Sequence, residues 1–276
     1  MGSPGDPRDD RGLEQAGRAA LIASVGGHRG WADWANPGHR FHRLLAEFIG
    51  VAGLTFILSG AAAILVRYGG RPLQHWQTVL VLTLVSALWI VVAVYFLGDI
   101  SAHFNPVVTL AFVLRRDMDW AMAGAYWVVQ FAAAACGSLL ARAFFGPAGN
   151  LAATMPKPGQ SWQAAGFEAI ITFGLVLVVL NLANGPKLNG PFVPLAVGAY
   201  IVAWGTMGGA YEGASMNPAR SFGPDLALGN LSTWWVYLVG PTAGALIAVP
   251  AAYVLRGPTT LQEAAAALGT PPDRAA

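Results

Sequence analysis

The stretch "GGAYEGASMNPARSFGPDL", residues 208–226, decides how this chain folds, because it places an Asn-Pro pair and an arginine between two long apolar segments. Asn is a favourable N-cap and Pro a favourable first helical residue, so Asn217 and Pro218 predict the start of a helix. A second Asn-Pro pair begins at Asn105 in "GDISAHFNPVVTLAFVLRR", residues 98–116. Each pair precedes an apolar run that is too short to cross a membrane, which predicts two half-helices that end inside it.

The composition of the 276-residue chain is that of a membrane protein, with 55% hydrophobic residues and only 11% charged residues. Soluble domains carry about 25% charged residues, so this chain has too few to cover a water-facing surface. The net charge of +2 gives no basis for nucleic-acid binding. The single cysteine, Cys136, excludes an internal disulfide and a cysteine metal cluster. We expect neither a metal nor a cofactor.

Six apolar runs are long enough to cross a hydrocarbon core, which takes about 20 residues. Each run must be a helix, because backbone N–H and C=O groups in lipid need partners within their own segment. The predicted spans are Leu44–Val66, Val79–Leu97, Met122–Phe145, Ala164–Ala183, Phe192–Ala210 and Trp234–Leu255. The polar residues 1–41 and 257–276 predict flexible tails on either side of a membrane domain at residues 42–256.

Positive charge is unevenly distributed between the two sets of loops, and this predicts the orientation of the chain in the membrane. Eleven of the 16 basic residues fall on the side that holds both chain ends, and Lys187 is one of them. That side is predicted to be cytoplasmic. We therefore expect a multi-pass protein of the plasma or inner membrane with both termini inside the cell.

The two Asn-Pro pairs lie 112 residues apart, and three predicted spans separate them. Because three crossings reverse the side of the membrane, the two half-helices enter from opposite faces. Each half of the chain opens on an apolar span with one glutamate, Glu47 in the first half and Glu168 in the second. The sequence therefore predicts an all-α fold of six transmembrane helices and two re-entrant half-helices, an inverted 3+3 repeat over residues 42–145 and 162–256.

The two half-helices are predicted to meet N-terminus to N-terminus near the middle of the membrane. A helix N-terminus carries about half a positive charge, so the meeting point repels cations. The side-chain amides of Asn105 and Asn217 can donate hydrogen bonds to a passing oxygen atom there. Neither stretch places a carboxylate or an imidazole at that point to relay protons.

These features together resemble the major intrinsic protein family, the aquaporins and aquaglyceroporins. The motifs "SAHFNPVVT" and "MNPARSFGP", their spacing and the paired glutamates carry the resemblance over residues 42–256. It implies a passive channel for water and small uncharged solutes that excludes protons and ions, forms a homotetramer in the lipid bilayer and has no enzymatic activity. The residues that the resemblance places at the central constriction are Asn105, Pro106, Val107, Asn217, Pro218 and Ala219.

The resemblance also places four residues in a narrower outer filter. They are Arg220, Gly205 in span five, Ala214 in the loop, and Val85 in span two, or Ser86 if the first motif has a one-residue gap. Water-selective members resemble one another in an aromatic residue in span two and a histidine in span five. Because this chain has neither, we expect a wide filter that also admits glycerol, urea or neutral metalloid acids, as in the nodulin-like members.

Three polar residues are predicted to support the loops. Glu47 and Glu168 hold loop backbone inside the bundle, and His103 bonds its own loop near the cytoplasmic mouth, with a protonation gate as the alternative. Val107 stands where the family usually has alanine. Its extra bulk is expected to adjust packing between the half-helices.

Other interpretations stay open on the sequence alone. Ser221 and Tyr237 resemble residues of water channels, so a water-selective pore is the main alternative. A secondary transporter for a small solute also uses inverted repeats and broken helices, but it normally buries more ionisable residues than this chain has. Arg220 could also be a structural anchor that is paired to Glu212 or Asp225.

Overall fold

The protein is described here by a computed structural model that covers residues 34–182 and 192–258. Within these ranges the chain forms eight α-helices and no strand. They are α1 (Pro37–Tyr68), α2 (His75–Leu97), α3 (Pro106–Leu114), α4 (Trp120–Phe145), α5 (Ser161–Leu182), α6 (Val193–Gly208), α7 (Pro218–Leu228) and α8 (Trp234–Arg256). Residues 1–33 and 259–276 of the two predicted tails lie outside the described residues, as does Lys187.

Six of these helices correspond to the predicted spans, and α3 and α7 correspond to the predicted half-helices. Five of the six are long and apolar enough to cross a membrane. The other, α6, has 16 residues and follows a stretch that lies outside the described residues. The prediction of six transmembrane helices and two half-helices is therefore confirmed.

The first helix begins earlier than the apolar run predicted, at Pro37 instead of Leu44. Asn36 is its N-cap, and the Asn36 side chain accepts a hydrogen bond from Gly38 N at 3.0 Å. Asn36 and Pro37 form a third Asn-Pro pair, which starts a helix for the same reason as the other two. The hydrophobic pattern missed this start because the first turns of α1 are polar.

Small residues allow the helices within each repeat to pack closely, α1 against α4 and α5 against α8. A Cβ atom on Gly137 of α4 would lie 2.2 Å from Ala52 O of α1. A Cβ atom on Gly244 of α8 would lie 2.4 Å from Ala169 O of α5. Close backbone approach of this kind stabilises helix pairs in membranes, where lipid tails are as apolar as the side chains.

Both half-helices are enclosed by the longer helices. The first, α3, contacts α4, α5 and α8, and the second, α7, contacts α1, α4 and α8. Their N-terminal ends also contact each other. The non-helical backbone before each half-helix is therefore surrounded by protein, which is the condition for such backbone at membrane depth.

We predict that Gly244→Ala lowers the stability of the protein, because the new methyl group collides with the backbone of α5. Overpacking of this kind costs about 1–3 kcal/mol, against a gain of about 1 kcal/mol in helix propensity. Gly166→Ala in α5 is the matched control, because a Cβ atom there meets nothing within 4 Å. Thermal unfolding in detergent should show a lower midpoint for Gly244→Ala alone, and equal midpoints would contradict the close contact.

Candidate functional site

The N-terminal ends of α3 and α7 are joined by two reciprocal hydrogen bonds. Asn105 Nδ2 donates to Met216 O at 2.8 Å, and Asn217 Nδ2 donates to Phe104 O at 2.8 Å. Each asparagine therefore binds the residue that precedes the other asparagine. The two half-helices meet tip to tip, in the arrangement that the spacing of the Asn-Pro pairs predicted.

The carbonyl oxygen of each side-chain amide caps the helix that follows it. Asn105 Oδ1 accepts from Val107 N, and Asn217 Oδ1 accepts from Ala219 N, both at 3.1 Å. Asn217 Oδ1 also accepts from Arg220 N at 3.3 Å. An amide NH₂ group has two N–H donors. With one donor committed to the opposite half, the second can donate to an oxygen atom in the space between the helices.

The second residue after each asparagine packs into the protein. Val107 is 2% exposed and Ala219 is fully buried. Val107 belongs to a buried apolar cluster with Val108 and Met122. The larger side chain that replaces the usual alanine is therefore accommodated away from the space between the half-helices.

Two tryptophans hold the half-helices from outside, a role that no sequence pattern predicts. Trp127 Nε1 of α4 donates to Pro106 O, and Trp234 Nε1 of α8 donates to Pro218 O, both at 3.0 Å. The two contacts occur on the third and the sixth span, so they follow the inverted repeat. Trp234 is the first residue of α8, and tryptophan at a span end is also typical of the membrane interface.

The Glu47 carboxylate holds the loop before α3. It accepts from His103 N at 2.7 Å and from Phe104 N at 2.8 Å. Ser101 Oγ and Gln130 Nε2 also donate to it, at 2.7 and 2.9 Å. The carboxylate is fully buried and has four donors, which satisfies a group that would otherwise be costly to bury.

The Glu168 carboxylate does the same for the loop before α7. It accepts from Ser215 N at 2.5 Å and from Met216 N at 2.8 Å. Met216 has a φ of +54°, and Phe104 in the first loop has a φ of +50°. A left-handed conformation costs roughly 1–2 kcal/mol for a residue other than glycine. The bonds to the two carboxylates offset this strain.

The His103 ring is fixed by its neighbours. Its Nδ1 atom lies 3.0 Å from Thr109 Oγ1. The ring stacks on Phe112 with 4.6 Å between centroids and meets the edge of Tyr126 at 5.2 Å. These contacts give His103 a structural role in its loop, and one face of the residue still reaches the cavity described next.

A cavity of about 460 Å³ lies along the two loops and brings together six of the predicted site residues. They are His103, Asn105, Asn217, Arg220, Gly205 and Ala214. The long helices line it mostly with apolar side chains, which include Leu54, Leu58, Leu82, Ile90, Val94, Leu175, Val179, Val197 and Ile201. The loops line it with residues 102–105 and 213–217, whose backbone supplies polar groups.

Ser86, and not Val85, lines the cavity from α2. The prediction of Val85 came from matching without a gap, and Ser86 is the residue that a one-residue gap in the first motif gives. Thr83 lies one turn earlier on the same wall. A Cβ atom on Gly205 would lie 2.7 Å from Thr83 Cγ2, so Gly205 also provides the close contact between α2 and α6.

Arg220 lies on the cavity wall without a partner among the described residues for its Nη1 atom. Within that part of the chain it makes no ion pair with Glu212 or Asp225, so the anchor pair considered from the sequence is not formed. Both carboxyl groups, and that of Glu168, are near enough to interact with it electrostatically. Among the described residues the guanidinium group is therefore held by no ion pair, and the nearby acidic groups offset its burial.

Comparisons with known proteins agree with this geometry. The major intrinsic protein family matches residues 36–252. Aquaporin NIP2-1 of Zea mays is 35% identical over 76% of this chain and 70% of its own length. Aquaporin NIP1-1 of Oryza sativa subsp. japonica is also 35% identical, over 91% of this chain and 86% of its own length.

The fold has a close counterpart among solved structures. The aquaglyceroporin from Plasmodium falciparum superposes with a TM-score of 0.67 over 79% of this chain and 97% of its own chain, at 22% sequence identity. The tip-to-tip half-helices, the matched family and the relatives at 35% identity all agree. The chain therefore belongs to the major intrinsic protein family, and it is a membrane channel for water and small uncharged solutes and not an enzyme.

Proposed function

We propose that the cavity is a wide passive pore that conducts glycerol, urea or neutral metalloid acids in addition to water. The observation that carries this proposal is the set of side chains at the four filter positions. Ser86, Gly205 and Ala214 share the cavity wall with Arg220. None of the four carries an aromatic or imidazole ring, so a solute with a carbon backbone has room beside the guanidinium group.

The two kinds of wall explain how such a solute would move. Apolar side chains from the long helices hold it weakly, and the loops and asparagines offer hydrogen-bond partners in sequence along the path. A solute can then exchange its water shell for these groups one at a time. Conduction requires binding that is favourable enough to enter and weak enough to leave.

Ion exclusion follows from the charges along the same path. The half-helices direct two positive dipole ends at the middle of the cavity, and Arg220 adds a full charge on its wall. A cation would meet this potential after losing its hydration. The Asn105 and Asn217 amides donate hydrogen bonds, and this orients a water oxygen toward them and breaks a continuous chain for proton transfer.

The relatives support water as one of the permeants, because they are named aquaporins. Ser221, which favoured a water-selective pore in the sequence, bonds Thr154 Oγ1 at 2.7 Å and is fully buried. It is therefore not part of the cavity wall. Its presence gives no reason to prefer the water-selective alternative.

The remaining parts of the proposal concern placement and assembly. We place the chain in the plasma or inner membrane as a homotetramer with both termini in the cytoplasm, on the strength of the charge distribution and the family resemblance. Labelling of single cysteines introduced at Arg116 and Lys157 would test the orientation in a Cys136→Ser background. Native mass measurement would test the tetramer.

Stopped-flow measurements on purified protein in liposomes would test the proposed function. Water, glycerol and urea should each cross faster than in empty liposomes, and solute flux should rise linearly with the gradient and be independent of ion gradients. Saturation of glycerol flux, or a requirement for sodium or protons, would instead favour a secondary transporter. Water flux alone would favour the water-selective pore.

We predict that Ser86→Phe reduces glycerol flux more than water flux, because an aromatic ring from α2 narrows the filter. Glycerol flux should fall roughly tenfold or more, since steric exclusion acts on the larger solute first. Val85→Phe is the matched control, because its side chain does not line the cavity. Equal effects of the two variants would mean that Ser86 is not in the filter.

We predict that Arg220→Ala raises proton and cation leak by roughly tenfold, the effect of removing one nearby charge in a medium of intermediate polarity. Arg220→Lys keeps the charge and should keep the leak low. Conductance and pH-dye measurements in liposomes would show the difference. An unchanged leak in Arg220→Ala would count against the role of this charge in ion exclusion.

A further inference from the structure

Glu212 has a rigid position in the loop that carries the filter, although it does not line the cavity. Its side chain is 2% exposed. Its backbone carbonyl accepts from Tyr237 Oη of α8 at 2.6 Å and from Met155 N at 3.2 Å. Two separate parts of the chain therefore fix the Glu212 backbone, so the side chain extends from a defined backbone position.

The Glu212 side chain turns back onto its own loop. Its Oε1 atom accepts from Ala214 N at 2.7 Å. Glu168 takes the next two N–H groups, those of Ser215 and Met216. Three consecutive N–H groups of the filter loop thus point at carboxyl groups behind the wall, whereas Glu47 takes two N–H groups in the first repeat.

This arrangement determines which backbone groups the filter presents. Ala214 has a φ of +43°, a left-handed conformation that alanine rarely adopts. Gly213, Ala214 and Ser215 all line the cavity, and their carbonyl groups accept no hydrogen bond from the described residues. With the N–H groups held behind the wall, these carbonyl groups are left to accept from a solute.

The other carboxyl oxygen of Glu212, Oε2, is buried and has no hydrogen-bond partner among the described residues. The group interacts electrostatically with Glu168 and with Arg220. A glutamine at position 212 would keep the length of the side chain and one carbonyl oxygen that can accept from Ala214 N.

We propose that Glu212 is a positioning residue of the filter, which holds Ala214 in its left-handed conformation so that the filter loop presents carbonyl acceptors to the solute. This inference rests on the proposed function, because acceptors matter most for a solute with several O–H or N–H groups. Specificity then depends on Glu212, which lies behind the cavity wall, as well as on the four filter residues that line the wall.

Three variants in liposomes test the role of Glu212. Glu212→Gln keeps an acceptor for Ala214 N, and Glu212→Met keeps the length without the acceptor. Asp119→Leu is the matched control, because Asp119 accepts from Met122 N at 2.7 Å in a helix cap that lies outside the cavity wall. Water and glycerol fluxes and the activation energy of water flux are measured for each variant.

The ratio of glycerol to water flux should stay within about twofold of the wild type in Glu212→Gln and Asp119→Leu. It should fall about tenfold in Glu212→Met, the effect of one lost buried hydrogen bond. A purely structural role would lower both fluxes together and leave the ratio and the activation energy unchanged, which would overturn the proposal. A fall in Glu212→Gln as large as that in Glu212→Met would also overturn it.

Two further outcomes are distinguishable. If Glu212→Met does not fold, Glu212→Asp decides, because it keeps the charge and shortens the reach by one methylene group. A lower ratio in Glu212→Asp supports the proposal, and a wild-type ratio overturns it.

If the wild type conducts water alone, the proposal of a wide pore fails. The role of Glu212 is then judged by the activation energy of water flux. Glu212→Met must raise this activation energy, and Glu212→Gln must not.

Discussion

Two hydrogen bonds hold the centre of this protein together, from Asn105 Nδ2 to Met216 O and from Asn217 Nδ2 to Phe104 O. They join the tips of two helices whose N-terminal dipoles would otherwise repel each other. Each bond offsets part of that repulsion and fixes where the tips stand. Each side-chain amide has two N–H groups. Because one of them donates to the opposite loop, the other points in a defined direction.

Carboxylates behind the wall make this junction possible. The loops that lead into the half-helices pass through left-handed residues, and their N–H groups would be unpaired in a membrane interior without Glu47 and Glu168. Each glutamate stands on the first span of its own repeat, so each repeat supplies the acceptor for its own loop. The positive groups face the cavity while the negative groups lie behind it.

Much of this fold could be predicted from the sequence, because membrane helices leave strong signals in hydropathy and helix starts leave strong signals in Asn-Pro pairs. The half-helices, their opposite insertion and the two glutamates follow from spacing alone. The prediction followed apolar runs and so missed the start of α1 at Pro37, because the first turns of this helix are polar. The Asn-Pro signal is nevertheless present at Asn36. A pattern of residue types locates an element by its strongest feature and misses the polar turns at its ends.

The filter was harder to predict, because which residue of α2 faces the cavity depends on its exact position along the helix and not on residue type. A one-residue gap in the first motif would shift the α2 member of the filter from Val85 to Ser86, and sequence matching alone left both open. Trp127 acts through a single hydrogen bond to the backbone of Pro106, and Glu212 through one to its own loop, roles that have no local pattern. Residues of this kind can be found only when the elements around them have been placed.

The junction between the two halves also sets an order of events during synthesis. Asn105 is made 111 residues before Met216, the residue whose carbonyl oxygen it binds. At about 5–20 residues per second, on the order of ten seconds pass between the two. During that interval α3 can rely only on partners from its own half, such as Glu47 and Trp127. The ribosome therefore completes the first half of the chain long before Asn105 can form its hydrogen bond to Met216.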